Sequence, residues 1–358
     1  MRLHDVLQRK GISVRVAYSS PPEMEVAKDD NGDLAAPLGT KVKGYWFGGG
    51  RLLYQPLWHE VSSANLVVVE QANKHLVNLL LRPYSMMCEK KIAFWGHGKD
   101  RKGNPDSLSE QFKRRSLCWV DWWFAYTQKV ADYVASVGFP PGRITTVDNS
   151  IDTEAFKKQL NTVDSGQVAQ MRSQLSIDLD ARIGLFCGSI YREKEIALLI
   201  QSAIRIRAAL PMFHLVVIGG GPEAKMVRSA AVLYPWIHYL GPAFGNTKAT
   251  CFRMADLFLM PAAVGLSILD AFCASLPLIT VDVPSHGPEI DYLQHERNGL
   301  IVNRDAQTYA EAVLRVLKTP AMLYQLQEGA RESAEKYTLE NMASKFASGI
   351  QCCLQVQS

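Results

Sequence analysis

Residues 257–281 constrain the fold of this chain more than any other segment, because they have the pattern of a strand, a turn, a helix and a second strand. The apolar run of residues 257–260 stops at Pro261, and a second apolar run covers residues 276–281. The intervening residues predict a helix that begins near Gly265, at the carboxyl edge of a parallel sheet. Free backbone N–H groups and the helix dipole at such an edge favour an anion such as a pyrophosphate.

The chain has 358 residues, which is long for one core, so two domains are expected. No apolar run is long enough to span a bilayer, and the first ten residues lack the apolar core of a signal peptide. Seven cysteines follow no zinc-binding spacing, and several lie in apolar segments. We interpret them as reduced thiols and therefore expect a cytoplasmic protein.

The formal net charge of +4 is too small to favour a nucleic-acid-binding protein. The denser cationic stretches are residues 90–91, 99–102 and 113–115, all in the first half of the chain. Two interpretations stay open for them. They are either a solvated surface or a patch that faces anionic lipid or a lipid-phosphate acceptor, at the inner face of the cytoplasmic membrane.

Strand and helix patterns alternate through most of the chain, which predicts an α/β protein with parallel sheets covered by helices on both faces. Residues 20–60 predict no regular elements. The predicted strands are residues 14–18, 66–69, 92–95, 124–127, 144–147, 183–187, 215–218, 237–240, 257–260, 276–281 and 300–302. The predicted helices include residues 1–10, 73–81, 107–119, 128–137, 306–318, 320–330 and 339–354.

A polar segment, residues 157–180, is the best candidate for a domain boundary. We therefore expect an N-terminal domain of residues 1–165, a C-terminal domain of residues 166–335 and a closing helix in residues 336–358. Two acidic stretches carry little metal-binding signal. Residues 29–33 lack the twelfth-position Glu of a calcium loop, and the D-x-D of residues 178–180 lies in the polar linker.

A second motif follows the predicted strand of residues 183–187. The loop of residues 188–194 carries Arg192 and Lys194 to the edge where the helix near Gly265 begins. Two cations and a helix N-terminus suit a diphosphate whose charge grows as a bond breaks. An exposed charged turn is the alternative. The glycine turn around Gly220 is weak evidence alone, because tight strand-to-helix turns need glycine in any case.

Together these segments resemble the retaining glycosyltransferases of family four, which have the GT-B fold of two Rossmann-like domains facing each other across a cleft. The resemblance is strongest over residues 183–302. It rests on five ordered motifs at residues 188–194, 219–222, 255–261, 265–271 and 288–300, with looser matches at residues 95–98 and 149–152. Residues 264–272 with 285–289 are similar to members that build bacterial cell-surface polysaccharide.

The resemblance implies roles for the cationic loop and the helix start. Lys194, helped by Arg192, would neutralise the departing nucleoside diphosphate. Backbone amides around Gly265 and Leu266 would hold its phosphates. No metal ion is expected, because these cations would supply the positive charge.

The resemblance also implies that Asp270 binds the ribose hydroxyls, in place of the family's glutamate, and that His97 contacts the donor sugar from the facing domain. Further donor-binding candidates are Ser189, Gly220, Val264, His286 and Glu289. Plain alternatives stay open: Asp270 as a surface helix residue, His97 in a structural hydrogen bond, His286 as a turn former and Glu289 as a carboxylate at a helix start.

Three departures from the family pattern stand out. Ala262 occupies the position of the first acidic residue of the family's pair, which normally binds the donor sugar. Ser189 stands where an arginine is usual. The family's first strand is missing ahead of the first helix, which would leave an open sheet edge.

The resemblance as a whole implies a retaining glycosyltransferase that uses a UDP- or GDP-linked sugar and needs no cofactor. Its acceptor would be a glycan or a lipid-linked molecule, in cell-surface polysaccharide or lipopolysaccharide synthesis. Two alternatives remain: another GT-B enzyme such as a nucleotide-sugar epimerase, and a catalytically silent binding or scaffold subunit.

Overall fold

The structure, a computed structural model, describes residues 2–20, 34, 38–72, 74–98, 111 and 114–356. The chain divides into two compact units, one of residues 1–148 and 340–358 and one of residues 149–339. Both contain parallel strands connected by helices, so the predicted α/β fold class is confirmed. The acidic stretch of residues 29–33 and residues 107–110 and 112–113 of the predicted helix of residues 107–119 lie outside the described residues.

The first unit is built around a four-stranded parallel sheet whose strands, β5 to β8, are adjacent in chain order. Its elements before the second unit are α1 (Arg2–Gln8), β1 (Val16–Tyr18), β2 (Gly39–Lys41), β3 (Tyr45–Phe47), β4 (Leu52–Tyr54), α2 (Trp58–Ser63), β5 (Leu66–Glu70), α3 (Val77–Cys88), β6 (Lys91–Gly96), β7 (Trp122–Ala125), α4 (Gln128–Ser136) and β8 (Ile144–Thr146).

Side chains of the four-stranded sheet alternate between two cores, as the pleat of a β-strand requires. Ile92 and Phe94 of β6 face the core that α3 and α4 cover, whereas Ala93 faces the opposite core. The opposite core is closed by α1 and by the last helix, α13 (Leu339–Gln355). Phe346 of α13 stacks on Phe124 of β7, with ring centroids 4.1 Å apart.

The prediction that residues 20–60 form no regular elements is wrong, because three short strands lie there. β2 pairs in parallel with β1, and β3 and β4 form an antiparallel hairpin whose turn contains Gly48 to Gly50. Each strand has three residues, too few for an alternating apolar pattern to stand out in the sequence.

The second unit contains a six-stranded parallel sheet in the order β11-β10-β9-β12-β13-β14. Its elements are α5 (Thr153–Thr162), α6 (Ser165–Gln174), β9 (Arg182–Cys187), α7 (Ile196–Ala209), β10 (Phe213–Ile218), α8 (Ala224–Leu233), β11 (Ile237–Gly241), α9 (Gly245–Met254), β12 (Leu257–Leu259), α10 (Ser267–Cys273), β13 (Leu278–Val281), β14 (Gly299–Val302), α11 (Ala306–Lys318) and α12 (Pro320–Lys336). Numbered within the unit, this strand order is 3-2-1-4-5-6, that of the Rossmann fold.

The division between the units falls after Asp148 and not after residue 165, where the polar segment of the sequence predicts it. Helices α5 and α6 belong to the second unit, because Phe156, Leu160 and Val163 are buried in the same core as β9 to β14. From Glu340 onward, α13 belongs to the first unit.

Local capping explains where several helices begin. The Asp152 side chain accepts from the Ala155 N–H at the start of α5, and Asp305 accepts from the Thr308 N–H at the start of α11. Asp164 and Gln167 form a capping box at the start of α6. In the part of the chain that the structure describes, every helix is too short or too polar to cross a bilayer.

Candidate functional site

The central pair of strands in the second unit, β9 and β12, defines where a ligand would bind. From β9 the chain crosses to β10 on one side, and from β12 it crosses to β13 on the other. The loops that follow β9 and β12 therefore separate and leave a crevice at the carboxyl edge of the sheet. Ligands of open α/β sheets bind at such a switch point.

Lys194 lies in this crevice and joins its two loops. It ends the 3₁₀ turn Arg192–Lys194 after β9, and its Nζ donates a 2.6 Å hydrogen bond to the Ala263 carbonyl after β12. The side chain is only 6% exposed, and Nζ also lies 5.6 Å from the centroid of the Tyr191 ring. Burying an ammonium group costs free energy unless partners such as these compensate for the lost water. The Ala263 carbonyl and the Tyr191 ring therefore fix the position of the Lys194 ammonium.

The loop after β12 has a constrained backbone at the point that Lys194 contacts. Ala263 has a φ of 48°, a left-handed conformation that costs a non-glycine residue of the order of 1 kcal/mol. This conformation directs its carbonyl to Lys194. Ala262, at the position of the family's first acidic residue, is fully buried and offers no polar side chain.

The loops after β9 and β10 are packed backbone against backbone. The Ile190 N–H donates to the Gly220 carbonyl at 2.8 Å, and the Gly188 N–H donates to the Ile218 carbonyl at 3.0 Å. A Cβ on Gly219 would lie 1.9 Å from the Gly188 carbonyl oxygen, so only glycine fits there. Gly220 thus contributes backbone geometry that holds the cationic loop in place.

Asp270 forms an ion pair with Lys248, a residue that no sequence motif singled out. Its Oδ2 lies 2.8 Å from Lys248 Nζ, and the two side chains are 12% and 22% exposed. Burial raises the pKa of the Asp270 carboxyl, and the Lys248 ammonium opposes this rise. Lys248 also lies over the Phe156 ring, 4.6 Å from its centroid. The ribose contact of Asp270 stays a prediction.

Cys187, the last residue of β9, lies close enough to Lys194, Lys248 and Asp270 for their charges to affect the pKa of its thiol. Burial raises the pKa of its thiol to about 11, against opposing effects from the Lys248 and Lys194 ammoniums. Asp270 adds to the rise. The thiol is therefore protonated at neutral pH, and its sulfur is a poor nucleophile.

His286 connects the end of β13 to the loop after β12. Its Nδ1 accepts from the Val264 N–H at 3.1 Å, and its Nε2 lies 2.7 Å from the Val281 carbonyl. These contacts require a neutral ring with the proton on Nε2. The Gly287 N–H donates to the Val264 carbonyl at 2.7 Å, so both backbone groups of Val264 are fixed. The geometry gives His286 a structural role, and its donor contact stays a prediction.

Glu289 is buried beside the same loop. Its Oε1 accepts from Asn149 Nδ2 at 3.0 Å. A Cβ on Gly287 would lie 2.7 Å from Glu289 Oε2 and 3.6 Å from the Gly265 Cα, which places this carboxylate near the start of α10. Asn149 is itself held through its carbonyl, which accepts from the Tyr292 hydroxyl at 2.9 Å.

The remaining predicted donor-binding residues of this unit are more accessible. Ser189 and Arg192 are exposed on the loop after β9, and Gly265 and Leu266 are half-buried just ahead of α10. The structure thus brings all the predicted residues of the second unit to one edge of one sheet. No signal in the sequence pointed to Lys248, because its pairing with Asp270 depends on α9 and α10 both packing against α5.

His97 lies in the first unit, after β6. Its ring centroid is 4.4 Å from that of Tyr126, in the loop after β7. Its contact with a donor sugar stays a prediction. Across the described residues of both units, no three His, Cys, Asp or Glu side chains are grouped closely enough to hold a metal ion.

Residues 181–319 match the family of group 1 glycosyl transferases. The alpha-monoglucosyldiacylglycerol synthase of Acholeplasma laidlawii is 24% identical to this chain over 274 residues, which are 74% of this chain and 63% of that protein. The chain spans about half to just under two thirds of the length of the first curated relatives that it matches.

Two solved structures show the same fold. A glycosyltransferase from Rickettsia africae aligns with a TM-score of 0.71 at 13% identity, over 99% of this chain and 94% of that one. Anabaena HepE, crystallised in complex with UDP, aligns with a TM-score of 0.67 at 14% identity, over 87% of this chain and 86% of that one. The family match covers the crevice of the second unit, including the Lys194 loop and α10. Residues 181–319 of this chain are therefore similar to group 1 glycosyl transferases, and the chain has the GT-B fold that its resemblance to family four predicted.

Proposed function

We propose that this chain is a retaining glycosyltransferase that moves a sugar from a nucleotide sugar to a glycan or lipid-linked acceptor. The acceptor would belong to bacterial cell-surface polysaccharide or lipopolysaccharide synthesis. The observation that carries the proposal is the buried Lys194 ammonium at the switch point of a 3-2-1-4-5-6 sheet. A nucleoside diphosphate is the anion that suits this place best.

The chemistry assigned to Lys194 is stabilisation of the leaving group. When the bond between the sugar and the diphosphate breaks, negative charge grows on the bridging oxygen. A cation already fixed there, by the Ala263 carbonyl and the Tyr191 ring, stabilises that charge without having to reorient. Arg192, exposed on the same turn, would add a second positive charge, and no metal ion is part of the proposal.

Retention of configuration requires the acceptor hydroxyl to attack from the face that the leaving group vacates. The departing phosphate would act as the base, so no protein carboxylate is needed beside the reacting carbon. The fully buried Ala262 is compatible with this scheme, because the scheme places no side chain of that loop in the reaction. The backbone amides of Gly265 and Leu266 would contact the donor instead, because both backbone groups of Val264 are engaged with His286 and Gly287.

The first test is binding of nucleoside diphosphates. UDP is the first to try, because the Anabaena structure contains it, and GDP is the second. At about 100 times its Kd, a ligand that binds only the folded state should stabilise it by about 2.7 kcal/mol. If neither UDP nor GDP raises the melting temperature, the proposal is contradicted.

The second test concerns Lys194. Lys194→Met keeps most of the buried stem and removes the charge, and we expect it to lower transfer by about 100- to 1000-fold. Arg192→Ala, at an exposed position, is expected to lower transfer less and to leave the melting temperature unchanged. Full activity of folded Lys194→Met would overturn the leaving-group role.

A catalytically silent binding subunit is the second candidate. It is favoured by the apolar Ala262 and by Asp270 being engaged with Lys248. Binding of UDP or GDP with no transfer and no donor hydrolysis, in wild type and Lys194→Met alike, would favour this candidate.

The location of the enzyme follows from its proposed acceptor. Lipid-linked acceptors lie at the membrane, and the A. laidlawii relative is named as a synthase of a glucosyl diacylglycerol. We therefore place this chain at the inner face of the cytoplasmic membrane.

A further inference from the structure

Helix α3 has an apolar surface where a helix of a water-soluble domain is normally polar. Its buried side, with Val77 and Leu81, packs on the four-stranded sheet of the first unit. The opposite side carries four large apolar side chains at helical spacing: Leu79 and Leu80, each 44% exposed, Met86, 71% exposed, and Met87, 84% exposed. We call these four residues the α3 patch.

Cations surround the α3 patch. Lys74 is exposed just ahead of α3, Arg82 is half-buried on the helix, and Lys90 is half-buried just after it. Among the described residues, none of these three side chains forms an ion pair, although the pKa of the Glu70 carboxyl is lowered first by its hydrogen bond to His75 and also by the charge of Lys74. Glu89 is the single acidic residue between positions 74 and 91.

More positive charge lies on the same face of the sheet. Strands β5 to β8 are adjacent in chain order, and the buried residues Val77, Leu117 and Val130 belong to one core. The helical residues that carry Arg114 and Arg115 therefore lie on this face too. Both arginines are exposed and line a surface depression with Ser136 and Gly138 at the end of α4. The face thus combines projecting apolar side chains with five cations, Lys74, Arg82, Lys90, Arg114 and Arg115.

We propose that the α3 patch inserts into the surface of an anionic lipid bilayer, with the surrounding cations against the lipid phosphates. Apolar side chains with a basic rim bind such interfaces through buried area and through attraction to anionic headgroups. This proposal deepens the membrane location proposed above and rests on it, and it names the surface that makes the contact.

Charge complementarity favours lipid over a second copy of the chain. In a two-fold dimer the same patch would face itself, which would bring Arg82 and Lys90 of both copies to one interface. Like charges placed together in this way repel, whereas an anionic bilayer attracts them.

The experiment is co-sedimentation of the full chain with vesicles of phosphatidylcholine alone or with about one third phosphatidylglycerol. We expect binding to the anionic vesicles and much weaker binding to the neutral ones. Met86→Ser/Met87→Ser should lower the partition coefficient on anionic vesicles by about 100-fold, since full burial of a Met side chain contributes about 1.5–3 kcal/mol. Both positions are exposed, so the variant should fold.

Two further variants make the test specific. Val232→Ser/Leu233→Ser removes a comparable exposed pair, 88% and 69% exposed, from α8 of the second unit and should bind like wild type. Arg114→Ala/Arg115→Ala should weaken binding to anionic vesicles by about 30-fold and leave neutral vesicles unaffected, at about 1 kcal/mol for each cation near the surface.

Wild type that fails to bind anionic vesicles, or Met86→Ser/Met87→Ser that binds like wild type, would overturn the proposal. A dimer by light scattering that this variant converts to a monomer, with unchanged vesicle binding, would assign the patch to self-association instead. The variant should keep the thermal shift of wild type with UDP, so that failure of the membrane contact is distinguishable from failure of the transferase proposal.

Discussion

Replacing Lys248 by methionine should leave a buried carboxylate without its cation. Lys248 Nζ lies 2.8 Å from Asp270 Oδ2, and the Asp270 side chain is 12% exposed. Lys248 also covers the ring of Phe156. Methionine has a similar unbranched stem and keeps this apolar contact, so the change removes little besides the charge.

Removing one partner of a buried ion pair costs about 3–5 kcal/mol, because the other charge stays in a poorly solvated place. Lys248 is 22% exposed, so water enters part of the site. We therefore expect a loss at the low end, about 3 kcal/mol of unfolding free energy at pH 7. Urea denaturation of the full chain, analysed for the transition of the second unit, measures this loss.

The pH dependence of the loss identifies its cause. Burial raises the pKa of Asp270 above its ordinary value of 3.8, and the Lys248 ammonium opposes this rise. Without Lys248 the pKa of this carboxyl in the folded state should rise further. An acid whose folded-state pKa is raised favours the folded state below its unfolded pKa, and this advantage disappears as pH rises through the folded pKa. Lys248→Met should therefore be nearly harmless at pH 4 and most destabilising above the raised pKa.

Two controls test this reasoning. Arg331→Met breaks an ion pair of similar length, 2.7 Å, whose side chains are 58% and 39% exposed, and should not change stability measurably. Asp270→Asn added to Lys248→Met should recover most of the loss at pH 7, because no charge is then buried. A loss that is equal at pH 4 and pH 7, or that Asp270→Asn does not relieve, would refute the account.

Three further changes have definite expected outcomes. Gly219→Ala, whose Cβ would lie 1.9 Å from the Gly188 carbonyl oxygen, should destabilise by about 3 kcal/mol or more, whereas Gly142→Ala, which has open space, should be nearly neutral in the same thermal melts. His286→Ala leaves the Val264 N–H and the Val281 carbonyl without their partner and should cost about 3 kcal/mol in urea denaturation. Burial lowers the pKa of His238 from 6.5 to about 4, so the unfolding free energy of wild type should fall as pH drops from 6.5 towards 4. His238→Gln should flatten that part of the curve of stability against pH. Parallel curves for wild type and variant would show that His238 is not the group responsible.

The strands of the second unit were predictable to within two residues, because each is a short apolar run between glycine, proline or polar residues. The prediction for β7 shows where this method fails. The strand is Trp122–Ala125 and not residues 124–127, since Thr127 caps α4 by accepting from the Val130 N–H. When a helix cap follows so closely, an apolar run does not show which of its residues form backbone hydrogen bonds with the neighbouring strands.

The candidate site was predictable only in part. The loop that carries Lys194 followed from a local pattern of strand, glycine and basic residues. That its Nζ contacts the Ala263 carbonyl depends on β12 lying beside β9, which brings together residues that are far apart in the chain. The same holds for Asp270, whose partner Lys248 comes from the preceding helix.

The amino-acid sequence by itself determined the alternation of strands and helices, the glycine turns and the basic loop, because these depend on residues close together in the chain. Only the tertiary structure decided the strand order 3-2-1-4-5-6 and the ion pair of Lys248 with Asp270. It also decided which side of α3 stays in solvent. Local periodicity shows that a helix has an apolar face, but which residues remain uncovered depends on the packing of other elements against it.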